Sequence, residues 1–274
     1  MEVLFAHTYL ILFGKLAVGG LLALAVPPFF EVERGFYKST ASVYAALAGC
    51  MAAGDLYLKL AFGAHVVGLL AVVAWSLFCV LFLIYVATLF LEVAPLRAKV
   101  YPSAIVAGFV ALSATASSYV PAGVHPIAGL CFATSAATGA VVAGSAVTGM
   151  LLGHWYLIEA GLDLTPLLRM WRFCRACVLA QIAVVSVAIM ILGLWPGTPW
   201  SSALAAAFSP RFVPLLVGRS LTWIVSLVLL SMIGRTLAIP QTMAATGLFY
   251  IQALNVSVGE ILAHWLLFRT GLPF

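Results

Sequence analysis

Apolar runs of bilayer-crossing length recur from one end of this 274-residue chain to the other. Crossing takes about 20 helical residues, and no stretch between the runs could fold as a separate soluble domain. Hydrophobic residues make up 65% of the chain and charged residues 8%, whereas a soluble domain carries about 25% charged residues. The expected fold is therefore all-α: one integral membrane domain over residues 1–274, a polytopic transmembrane helical bundle of about eight spans.

The spans are placed at 3–26, 40–56, 64–93, 103–120, 127–158, 176–195, 213–233 and 241–268. The first is expected to remain uncleaved, because "MEVLFAHTYLILFGKLAVGG" lacks a basic n-region and Lys15 interrupts its apolar stretch. The second runs into "DLYLKLAFG", where Asp55 and Lys59 at i, i+4 can pair at the membrane surface. The fifth contains "ATGAVVAGSAVTGMLLG". Its small residues let neighbouring backbones approach, which predicts a helix inside the bundle, tilted or broken.

Charge asymmetry orients the bundle. Loops after the odd-numbered spans carry Arg34, Lys38, Arg97, Lys99, Arg169, Arg172, Arg175 and Arg235, and the other side has mainly Lys59, Arg211 and Arg269. The positive-inside rule makes the first set cytoplasmic and puts both termini outside. The expected location is a bacterial inner (cytoplasmic) membrane, crossed many times. His7, His65, His125 and His264 then share the outer side. Only His154, beside Trp155 and Tyr156, falls at the inner end, where it reads as an interface residue.

The last span holds most of the chemistry. Gln241, Gln252, Asn255, Glu260 and His264 fall within about half of its circumference at 100° per residue, so that half must face protein. An ionisable group inside a span is costly unless it pairs or lines a wet cavity, which makes it a candidate for function or for an interhelical clamp. Lys15 lies about eleven residues below the outer end of the first span and Glu260 about eight below that of the last. At 1.5 Å per residue their backbones come within roughly 5 Å of equal depth. We therefore expect Lys15 and Glu260 to pair or to share a cavity with His7 and His264.

Other signals are sparser. "CRAC" at Cys174–Cys177 puts two thiols on one helical face, but it has no second pair and no following histidine. The five cysteines read as small buried hydrophobes. The arginines of "PLLRMWRFCRACV" suit anionic headgroups or a partner subunit. No Walker A loop, H-E-x-x-H or G-x-S-x-G motif is present, and no inverted repeat is evident by eye. Nucleic acid is not an expected partner.

Two functions remain. In the first, the chain is a membrane subunit of a respiratory or photosynthetic type electron-transfer complex that binds quinone/quinol or haem b near the outer face. Glu260 and Lys15 would be its catalytic pair. His7, His65, His264, Gln252 and Asn255 would be cofactor-binding, and His7 and His264 the axial ligands if haem is present. The partners would be membrane lipids and the other subunits of the complex. In the second, the chain is a proton-coupled small-molecule transporter or a lipid-handling membrane scaffold. In helix count and outward termini the pattern resembles the eight-helix membrane anchors of bacterial respiratory oxidoreductases, such as the dimethyl sulfoxide reductase anchor. "HTYLILFGKLAVGG" is similar to the opening of their first helix, over about twenty residues and without a diagnostic motif, so no site residue is carried over from it.

Overall fold

The computed structural model describes residues 2–63, 68–120, 126–159, 161–194, 199–239 and 241–274. Among these residues the secondary structure is helical: α1 Glu2–Ala23, α2 Arg34–Phe62, α3 Leu69–Phe90, α4 Ala94–Ser117, α5 Pro126–Ile158, α6 Thr165–Gly193, α7 Pro199–Ala207, α8 Val213–Ala238 and α9 Thr242–Thr270. All but α7 are long and apolar enough to cross a membrane. In hydrocarbon every backbone N–H and C=O must be satisfied within the segment, and a helix does this. Pro95, Pro166 and Pro214 sit in the first turns of α4, α6 and α8, where a missing N–H breaks no bond. Gly63 and Gly271, at φ 79° and 74°, end α2 and α9.

Several elements differ from expectation. Helices α2 and α6 run well past the apolar limits read at 40–56 and 176–195, because long basic side chains keep their charge at the surface while the helix continues beyond the hydrocarbon. Helix α5 is continuous over 33 residues, neither broken nor kinked into separate helices. At 1.5 Å per residue it is about 50 Å long, against a hydrocarbon core of about 30 Å. Helix α7, with nine residues, is too short for an apolar run to reveal it.

Helix α5 is the hub, packed mainly against α1, α6 and α9; α2, α3 and α4 form one flank, and α8 lies against α9 on the other. Its small residues explain this position. A Cβ on Gly144 would fall on the backbone of Gly19, and one on Gly19 would fall on the Ala140 carbonyl. The two helices therefore cross backbone to backbone, and dispersion between them replaces the hydrophobic drive that lipid cannot supply.

The bundle has two unlike ends. At the terminal end the start of α1 meets the finish of α9, with the rings of His7 and Phe268 6.3 Å apart. Residues 272–274 and α7 close over it, where Leu272 and Trp200 join a small core with Phe132 and Leu192. The basic end carries ion pairs of Glu92 with Arg34 (2.9 Å) and Lys38 (3.6 Å), and of Glu31 with Arg169 (3.7 Å). There His154 is exposed, its Nδ1 3.3 Å from the Tyr250 hydroxyl. Cys174 and Cys177 are buried and unbridged.

Candidate functional site

Glu260 is wholly buried in the membrane-spanning part of α9, and three side chains from three other helices converge on it. Lys15 Nζ of α1 donates to Oε2 at 2.6 Å, while Gln181 Nε2 of α6 and Arg219 Nη2 of α8 donate to Oε1 at 2.7 and 3.2 Å. A carboxylate in low dielectric needs this many donors to offset its lost hydration. Two glycines make the space. A Cβ on Gly139 would lie 2.6 Å from Glu260 Oε2 and 3.0 Å from Lys15 Nζ, and one on Gly259 would lie 2.8 Å from Arg219 Nη1. With two cations around one carboxylate the cluster carries a net positive charge, and the Arg219 guanidinium also stacks over Trp223 at 4.8 Å.

Next to the cluster lies a narrow cleft between α1, α4, α5, α9 and the C-terminal tail, with a cavity volume of about 40 Å³ behind an open mouth. Most of its wall is apolar: Ile11, Leu112, Phe132, Leu267 and Phe274 line it. Lys15, Thr115, Tyr119, Ser135 and His264 supply the polar groups. Their valences differ. Thr115 already accepts from Trp75 Nε1 and donates to the Ala111 carbonyl. Ser135 Oγ is buried with no hydrogen-bond partner among the described residues. His264 Nδ1 lies 2.8 Å from the carbonyl oxygen of Glu260. A carbonyl only accepts, so Nδ1 carries the proton, and in the neutral ring Nε2 keeps its lone pair. Glu260 itself does not line the cleft; it holds Lys15 there.

A second polar chain leads away. Tyr119, at the cleft wall, bonds His7 Nδ1 at 3.2 Å, and His7 Nε2 faces Asp55 Oδ1 at 3.6 Å. Asp55 is fully buried, and neither of its oxygens has a hydrogen-bond partner among the described residues. It is therefore not the surface ion-pair residue expected from the sequence. The reason is its register: with Tyr44, Ala48, Met51 and Leu58 it forms the inward stripe of α2, at alternating spacings of four and three.

The expected site residues divide clearly. Lys15, Glu260 and His264 come together, and His7 is joined to their cleft by a hydrogen bond through Tyr119. The Phe268 ring packs against both imidazoles, 6.3 Å from His7 and 6.4 Å from His264. Asn255 points elsewhere, its amide nitrogen donating to the Thr222 carbonyl and Ser226 Oγ of α8. Gln252 is buried, does not line the cleft, and its amide has no partner among the described residues. His65 and His125 lie outside the described residues. No cluster of three or more His, Cys, Asp or Glu suited to a metal ion occurs among the described residues.

Arg219, Gln181, Ser135 and Tyr119 escaped the sequence reading. A signal existed for the first two, since "VPLLVGRSLTW" places one charged side chain, and "VLAQIAVV" one amide, in an apolar span, as Lys15 and Glu260 are placed in theirs. Comparison of the chain with protein families, with curated proteins and with solved structures gave no match. The fold defines a polytopic helical membrane protein with a buried ionic cluster beside an apolar cleft.

Proposed function

We propose that this chain is the membrane subunit of an electron-transfer complex and binds a quinone or quinol in the terminal-end cleft. The observation that carries the reading is one apolar cleft presenting a lysine, an unengaged hydroxyl and an imidazole lone pair. The positive-inside rule would put it on the outer face of a bacterial cytoplasmic membrane, with both termini outside. Redox-active partner subunits would accept the electrons that a bound quinol supplies.

The side chains have complementary parts in this reading. Lys15 Nζ, oriented by Glu260, and Ser135 Oγ donate to a ring oxygen, and His264 Nε2 accepts a proton from a hydroxyl. The Tyr119 oxygen can take a second proton while its own passes to His7 Nδ1, and the proton on His7 Nε2 passes to Asp55. These residues fit a quinone better than haem b. His7 directs one nitrogen to Asp55 and the other to Tyr119, and Phe268 packs against both candidate ligands. Gln252 and Asn255 take no part in binding here.

Titrating the purified protein with a short-chain ubiquinone or menadione, followed by tryptophan quenching, tests the proposal. Saturable binding is expected, weakened at least tenfold by Ser135→Leu and by His264→Ala with helix content unchanged, together with a reduced-minus-oxidised spectrum lacking a b-type band. Failure of wild type to saturate, or variants that bind like wild type, would overturn it. The buried Asp55–His7 pair also suits a proton-coupled transporter, our second reading. Proton flux in proteoliposomes holding this chain alone, without quinone, would favour that second reading.

A further inference from the structure

The three arginines opening α6 have different surroundings. Arg169 pairs with Glu31, Arg172 is exposed, and Arg175 lines a groove between α6 and α8. The groove has a volume of about 470 Å³, open on one side, and Arg235 of α8 stands near its basic end. Both arginines are exposed, and among the described residues no carboxylate lies within ion-pair distance of either.

Their depths are unusual. Trp171 Nε1 donates to the Leu230 carbonyl at 2.7 Å, which sets the level of α6 against α8. Counted at 1.5 Å per residue, the Arg175 backbone lies roughly 18 Å below the end of α8 at Ala238, and that of Arg235 about 4.5 Å. The Arg175 guanidinium leans back over the Trp171 ring, 6.0 Å from its centre, toward the basic end. An arginine facing lipid at that depth needs an anionic partner that can enter the hydrocarbon. Beside and beyond it the groove wall is apolar, formed by Leu230, Leu227 and Leu179.

We propose that this groove holds one anionic phospholipid, its phosphate between Arg175 and Arg235 and an acyl chain along the three leucines. Charge complementarity and position select this occupant. A soluble subunit would meet Arg235 from the helix end but could not reach Arg175 beside an apolar wall, whereas a phospholipid presents phosphate and hydrocarbon in that order. The inference is independent of the quinone reading, since the groove lies at the opposite end of the bundle.

Native mass spectrometry of the detergent-purified protein, titrated with phosphatidylglycerol or phosphatidylcholine, tests it. One phosphatidylglycerol should bind in preference to phosphatidylcholine. Arg175→Gln with Arg235→Gln should weaken it about 30-fold, at about 1 kcal/mol per charge. Ser231→Trp, which fills the groove and keeps both arginines, should also displace it. Arg172→Gln with Lys99→Gln, exposed at the same end but outside the groove, should have little effect. Equal affinity for the two lipids, equal losses in the two double variants, or unchanged binding in Ser231→Trp would each overturn the proposal.

Discussion

Glu260 and Asp55 are both carboxylates buried at the terminal end of the same bundle, and they are held in opposite ways. Glu260 accepts three hydrogen bonds, two from cations, and fixes four helices to one another. Asp55 accepts none from the described residues and faces a single imidazole at 3.6 Å. A carboxylate saturated with donors keeps its charge and serves architecture. One opposed only to a histidine can exchange a proton with it, so its placement suits transfer. Membrane burial alone therefore does not say what an acidic residue is for; the number of donors around it does.

The comparison is most easily broken at Glu260. Glu260→Gln leaves Lys15 and Arg219 buried without a counter-charge and should destabilise the fold by about 3–5 kcal/mol. Lys15→Met should cost clearly less, because Glu260 retains Arg219 and Gln181 and the cluster becomes neutral. Thermal unfolding in detergent measures both, and equal losses would mean that Glu260 is not the centre of the cluster. Gly139→Ala comes next. Its Cβ would press on Glu260 Oε2 and Lys15 Nζ, for an expected loss of about 1–3 kcal/mol.

Asp55→Asn sharpens the contrast from the other side. It replaces a buried carboxyl group that no donor among the described residues supports, so the unfolding midpoint should stay the same or rise. If the chain is the quinone-binding subunit proposed above, quinone affinity should persist while proton release during turnover slows at least tenfold. A loss of stability as large as that of Glu260→Gln would erase the distinction between the two acids. Asn255→Leu should be milder than any change at Glu260, at about 0.6 kcal/mol for an interhelical hydrogen bond in a membrane. Its quinone affinity should be unchanged, since the amide is engaged with α8.

A third carboxylate, Glu92, sets the lower limit. It lies in the exposed loop between α3 and α4, and the Arg34 guanidinium, then the Lys38 ammonium, hold its carboxyl below the usual value of 4.5. A depressed folded-state value stabilises above the unfolded one, and that contribution disappears as pH falls through the depressed value. Protection of amides in this loop, measured against their intrinsic exchange rate at each pH, should therefore fall only below about pH 4.5, with little effect on global unfolding, because solvent screens exposed pairs. Loop protection independent of acid would leave the pairs without a role.

Much of the architecture was legible in advance. The apolar runs located eight helices because hydrocarbon tolerates only segments that satisfy their own backbone, and small residues marked α5 as central because only they permit backbone contact. Depth counting brought Lys15 and Glu260 together, since rise per residue is fixed. It could not count partners. Depth leaves rotation about each helix axis open, so the arrival of Gln181 and Arg219 at the same carboxylate, and the turning of His7 toward Asp55 rather than His264, were not readable. Asp55 was misjudged because its i+4 lysine suggested a surface pair, although the Tyr44–Ala48–Met51–Asp55–Leu58 spacing already turned it inward.

The sequence by itself determined that this is a helical membrane protein, how many times it can cross, which end is basic, and which polar residues must avoid lipid, because each of these follows from the cost of exposing charge or backbone to hydrocarbon. Only the tertiary structure decided which polar residues meet. It gave Glu260 three donors and Asp55 none among the described residues, left Ser135 facing a cleft, and set Arg175 beside a groove, because such contacts depend on helix rotation and crossing, which are fixed by packing among many side chains at once.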